Sequence, residues 1–170
     1  FSALLHASWN ALAKSSTTRV ASFVLMALAT GFCGLLAVPF VPLPPPETWV
    51  WLGASVVLHA VYFAALIAAY DVGDLSLVYP ISRGLAPLGI ALGAAGLAGE
   101  VPAANGLIGI GFASLGIIAL SLPEAGPRPA KRLQALAWAG FIAGLIVLYS
   151  LADGIGARGY LDWGGGLVWL

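Results

Sequence analysis

Residues 75–98 read LSLVYPISRGLAPLGIALGAAGLA. This stretch decides the fold. It is long and apolar enough for a bilayer-crossing helix, which needs roughly 20 such residues, yet it carries one charge, Arg83. A charged side chain at the membrane centre costs on the order of 3 kcal/mol on insertion scales. Arg83 therefore calls for a bundle interior or a water-filled cavity rather than lipid. Tyr79 and Arg83 are four positions apart and share a helical face. Pro80 and Pro87 each remove a backbone donor and crowd the preceding turn. The carbonyls they free need other partners, which a cavity supplies. Gly84 lets a ligand or a second helix come close. A permanently charged side chain in this setting reads first as a site for an anion or carboxylate. Its rivals are an ion pair with Asp153 or another acid, which would only lock the bundle, and snorkelling to the surface.

The whole chain repeats this character. Its 170 residues are 61% hydrophobic and 8% charged, with a mean hydropathy of +0.99. A soluble domain averages about 25% charged residues. So few charges cannot clothe a water-facing surface, which excludes a soluble globular protein, a disordered chain and a secreted disulfide scaffold. Seven basic and seven acidic residues cancel, so there is no basic field for nucleic acid. The single cysteine, Cys33, forms no internal disulfide. The apolar runs are continuous rather than alternating, which indicates helices and not an outer-membrane barrel. The predicted class is an all-α, multi-pass transmembrane helix bundle of the cell membrane, placed in a bacterial inner membrane.

Six segments are predicted to span: residues 1–13, 20–41, 49–70, 75–98, 103–122 and 133–152, with a seventh beginning near Tyr160. The polar linker 123–132 holds Glu124, Arg128, Lys131 and Arg132 and is the longest polar break. Starting at Phe1 and stopping at Leu170 within another apolar stretch, the chain reads as a piece of a longer protein. Lys14 and Arg19 follow the first span, and Arg128, Lys131 and Arg132 follow the fifth; Arg158 stands alone on the opposite side. By the positive-inside rule the first, third and fifth loops face the cytoplasm. Gly89/Gly93 and Gly140/Gly144 are small-xxx-small pairs, read either as ordinary membrane-helix composition or as a homodimer contact.

Polar residues recur inside other spans. His6, Trp9, Asn10 and Lys14 lie on one helical face of the first, either lining a cavity or holding a neighbouring helix and snorkelling. His59 and Tyr62 are three apart in the third, where a histidine binds substrate, carries a proton or serves packing. Tyr149 and Asp153 are four apart near the end of the sixth, as His6 and Asn10 are in the first. Aligning Asn10 with Asp153 leaves five spans between them. An odd number inverts the second copy, which is the inverted-repeat logic of many secondary transporters. No metal-ligand spacing, phosphate loop or nucleophile elbow is present, so no enzyme, metal or cofactor is predicted.

The chain resembles the EamA family of the drug/metabolite transporter superfamily. The resemblance is carried by residues 6–10 with Lys14, by residues 74–87, by Gly99-Glu100 and the glycine-rich fifth span, and by Tyr149 with residues 153–158. It implies ten helices in two inverted five-helix repeats around a central cavity. Residues 1–122 would be the first repeat without its beginning, 123–132 the linker, and 133–170 the start of the second. It also implies a cytoplasmic N-terminus, the reverse of the charge pattern. The function expected is a secondary transporter moving a small-molecule metabolite by alternating access; the alternative is a non-transporting scaffold or assembly subunit. Trp9, Asn10, His59, Tyr62, Tyr79 and Arg83 are the expected substrate contacts. His6, Pro80, Pro87, Tyr149 and Asp153 are the expected gating or coupling residues, with Asp153 pairing with Arg83 or carrying protons. The lipid bilayer is the expected surrounding partner.

Overall fold

The computed structural model describes residues 19–40, 43–72, 75–119 and 129–162. The chain divides into two compact units, residues 1–43 and 44–170. Among the described residues every regular element is helical.

In the first unit α1 runs Arg19–Ala37 and passes into a 3₁₀ turn, Val38–Phe40. Pro39 explains the change, because the residue before a proline is driven away from α geometry. Leu25, Leu28, Phe32 and Leu35 are all exposed, as expected of side chains with lipid for solvent. The predicted first span, with His6, Trp9 and Asn10, lies outside the described residues.

The second unit opens with a 3₁₀ turn, Pro46–Thr48, feeding α2, Trp49–Val72. The Thr48 amide and hydroxyl both donate to the Pro45 carbonyl, at 2.9 and 2.8 Å, which closes the helix start. Next come α3, Leu75–Ala98, then α4, Ala104–Ala119, and α5, Pro129–Asp162. Helix α3 stops where Gly99 takes φ +66°, a conformation glycine adopts freely, and the Glu100 amide turns back to the Ala94 carbonyl at 3.2 Å.

Helix α5 is the organising element. It packs against α2 and α3, while α4 covers α3. Val147 and Leu151 fill the space beside Gly89 and Gly93, and Arg158 pairs with Glu100. All three contacts join residues 58 positions apart, so α3 and α5 run parallel and in register. Against α2 the direction reverses: Gly156 meets Trp51, Gly159 meets Thr48, and the His59 ring lies on Tyr149. The buried face of α5 is built from Ala135, Ala139, Ile142, Ala143 and Ile146, and small residues there let neighbouring backbones approach. Gly89 and Gly93 are thus spent on a contact within the chain, whereas Gly140 and Gly144 have open space beside them.

Several boundaries differ from the sequence reading. The linker expected over 123–132 becomes helical at Pro129, which begins α5; a first-turn proline loses no hydrogen bond there. The expected stop at residue 152 and restart near Tyr160 do not occur. One helix of 34 residues continues through Asp153, Arg158 and Tyr160. Glycines in a helix each cost up to about 1 kcal/mol in water, but here Gly156 and Gly159 lie against Trp51 and Thr48, which an added Cβ would approach to 3.2 and 3.1 Å. Helix α4 has 16 residues, about 24 Å, against a hydrocarbon core of about 30 Å. Among the described residues three helical stretches, Pro46–Ala69, Leu77–Leu97 and Arg132–Tyr160, are long and apolar enough to cross a membrane. The architecture is that of a helical membrane protein.

Candidate functional site

The polar centre of the second unit forms where α2, α3 and α5 meet. Helix α2 contributes His59 and Tyr62, α3 contributes Tyr79 and Arg83, and α5 contributes Tyr149. The spacing of three or four within α2 and within α3 turns each pair to one side. Tertiary packing then brings the sides together.

Arg83 sits among aromatic side chains. Its Nη2 donates to the Tyr62 hydroxyl at 3.5 Å, the outer limit of a hydrogen bond. Its guanidinium carbon lies 5.5 Å from the Tyr79 ring centroid, inside the range of a cation–π attraction. Tyr62 is itself buried, with its ring edge-on to Phe63 at 5.3 Å and to Tyr149 at 5.7 Å. His59 lies against Tyr149 with ring centroids 4.0 Å apart. One edge of the imidazole is fixed, since Nδ1 is 3.0 Å from the Ser55 carbonyl and 3.2 Å from its hydroxyl.

The arginine's hydrogen-bonding capacity is not used up. Its Nε is buried without an acceptor, an uncommon condition for a buried donor. The ion pair with Asp153 expected from sequence is not formed. Asp153 lies one helical turn past Tyr149, in a crevice with Thr48, Trp51, Leu52 and Gly156. Among the described residues the ion pair is Arg158 with Glu100, at 3.2 Å. A guanidinium that meets phenols and, among the described residues, no carboxylate keeps its charge uncompensated by them, and an anion is a chemical partner that fits it.

Pro80 and Pro87 do not break α3, which is continuous across both. Between them the Ser82 hydroxyl donates to the Tyr79 carbonyl at 3.0 Å. Pro87 still deprives the Arg83 carbonyl of its helical donor. Gly84 presses on α4, where an added Cβ would lie 2.6 Å from Ile118 and 3.0 Å from the Ser114 carbonyl.

The structure therefore assembles His59, Tyr62, Tyr79, Arg83 and Tyr149, leaves Asp153 to one side, and keeps Pro80 and Pro87 in the helix behind them. Sequence reasoning missed Ser55, although its place four residues before His59 was a legible signal. It also missed Ser114, which is 0% exposed with an unpartnered hydroxyl and which no local pattern marks. The pairing of Glu100 with Arg158 was missed too, because it joins segments 58 positions apart. No family model, curated protein or solved structure matches the chain. What the fold defines is a class: a helical membrane protein with a cationic, tyrosine-lined centre.

Proposed function

We propose that this chain is part of an EamA-like, multi-pass secondary transporter of the cell membrane, moving a small metabolite by alternating access. Arg83 receives the anionic group of the substrate. Tyr62, Tyr79, Tyr149 and His59 flank it. His6, Pro80, Pro87 and Asp153 serve gating or coupling.

The observation that carries this reading is the unspent donor on Arg83 inside an apolar helical unit. An arginine kept only to lock helices together would be expected to face an acid. This one has phenols at the edge of hydrogen-bonding distance, an arrangement that a bound anion completes. The test is uptake or efflux by the full-length protein in proteoliposomes, with Arg83→Ala and Asp153→Asn, alongside cysteine labelling at positions 59 and 79. Transport that fails in Arg83→Ala, with water-accessible cysteines at both positions, supports the proposal. Unchanged transport in both variants removes these residues from the mechanism, and unlabelled cysteines favour the scaffold alternative.

A further inference from the structure

A second feature lies away from Arg83. Between α3 and α4 runs a groove of about 500 Å³, lined by Pro87, Ile90, Ala91 and Ala94 of α3, by Ile110 of α4, and by Val101, Pro102 and Glu100 of the connection. The two helices touch at Gly84, against Ile118 and Ser114, and this contact closes the groove beyond Pro87. The other end opens beside Glu100, whose carboxylate is 3.2 Å from Arg158 Nη1.

Its dimensions identify the occupant. From Pro87 to the end of α3 at Ala98 is about 16 Å of helix rise. That matches one leaflet, half of a hydrocarbon core about 30 Å thick. A helix from a second copy would run the full thickness and meet the closed end at Gly84. One acyl chain needs only the leaflet. Small residues, Ala91 and Ala94, form the floor, while the flanking Leu92, Leu97 and Phe112 are all more than 70% exposed.

The open end carries both signs of charge. Glu100 and Arg158 are each about half exposed, at 53% and 44%, just beyond the apolar stretch Leu77–Leu97 and so at headgroup depth. Arg158 reaches both carboxylate oxygens through Nη1, at 3.2 and 3.4 Å, which leaves its other N–H groups for a phosphate. Glu100 keeps lone pairs for an ammonium. We propose that this groove seats one acyl chain of a phospholipid with a primary-amine headgroup, Arg158 holding its phosphate and Glu100 its ammonium. The proposal rests on membrane residence alone and is independent of the transport reading.

The test is lipid retention by the full-length, delipidated protein in detergent, read by native mass spectrometry. The probes are dioleoyl phosphatidylethanolamine, its N-methyl and N,N-dimethyl derivatives, phosphatidylcholine and phosphatidylglycerol. Wild type should retain the ethanolamine lipid about threefold over phosphatidylcholine, the scale of an exposed charge pair, with retention falling as each N–H is replaced. Glu100→Gln should abolish the preference, and Ala94→Leu, which fills the floor, should lower retention of every lipid. Equal retention across the methylation series overturns the proposal, and wild type alone decides this if a variant does not fold. A preference that persists in Glu100→Gln, or stronger retention of phosphatidylglycerol, overturns it as well.

Discussion

Arg83 and Arg158 are the same side chain in two settings. Arg158 stands at the end of the α3–α5 contact, half exposed, with Glu100 as partner. Arg83 stands half-buried between α2, α3 and α5, with Tyr62 and Tyr79 for neighbours and, among the described residues, no acid bonded to it. Where water or headgroups reach a charge, an acid neutralises it at little gain, because exposed pairs contribute about 0–1 kcal/mol. Where the surroundings are apolar, a charge left with unspent donors is costly. On the reading proposed above, the contrast is between a charge paired across a helix contact and a charge that receives an anion.

The contrast breaks most readily on transport. Arg83→Ala should cut transport by the full-length protein about tenfold to hundredfold, the weight of hydrogen bonds to a charged group. Arg158→Ala should leave it within about twofold, the scale of an exposed pair. Equal losses in proteoliposome uptake would erase the distinction. The next effect concerns the packing that places both arginines. Gly93→Leu drives a side chain into Leu151, which already lies 2.5 Å from an added Cβ, and should destabilise by about 1–3 kcal/mol. Gly96 has open space, so Gly96→Leu should stay within about 0.5 kcal/mol. Denaturant unfolding in detergent compares them, and matched losses would mean that α3 and α5 do not meet in this register.

Smaller effects sharpen the picture. Tyr62→Phe removes the hydroxyl bonded to Arg83 but keeps the ring's edge-on contacts with Phe63 and Tyr149. It should weaken apparent substrate affinity less than tenfold, in keeping with about 1 kcal/mol for one hydrogen bond, and leave the melting temperature almost unmoved. A large drop in melting temperature with unchanged affinity would make Tyr62 a structural residue. Smallest of all, Arg158→Ala should cost at most about 1 kcal/mol of stability, and less at high salt. A loss of several kcal/mol that salt leaves untouched would place this pair in a drier setting than its exposure indicates.

The extent to which this was legible varies along the chain. The limits of α3 were readable because Gly99-Glu100 after an apolar run is a local stop signal, and the structure ends the helix at Ala98. The start of α2 at Trp49 was readable for the same kind of reason, the prolines before it. The stop expected at residue 152 does not occur, and Gly156 and Gly159 lie against Trp51 and Thr48 in a helix contact between segments far apart in sequence. Tyr79 and Arg83, like His59 and Tyr62, were legible as pairs from their spacing. Which acid met which arginine was not, since Arg158 and Glu100 are 58 positions apart.

Composition and periodicity alone established a helical chain that lives in a membrane, because an apolar run with almost no charge has one stable environment and, in it, a helix satisfies its own backbone. They also marked Arg83 as out of place. Tertiary packing decided that this arginine meets tyrosines and not Asp153, that Glu100 takes Arg158, and that α3 touches α5 along its glycines but parts from α4 beyond Gly84. These outcomes depend on the register between helices. Register is set by how small and large side chains from distant segments interlock, and no single stretch of the chain contains both halves of that fit.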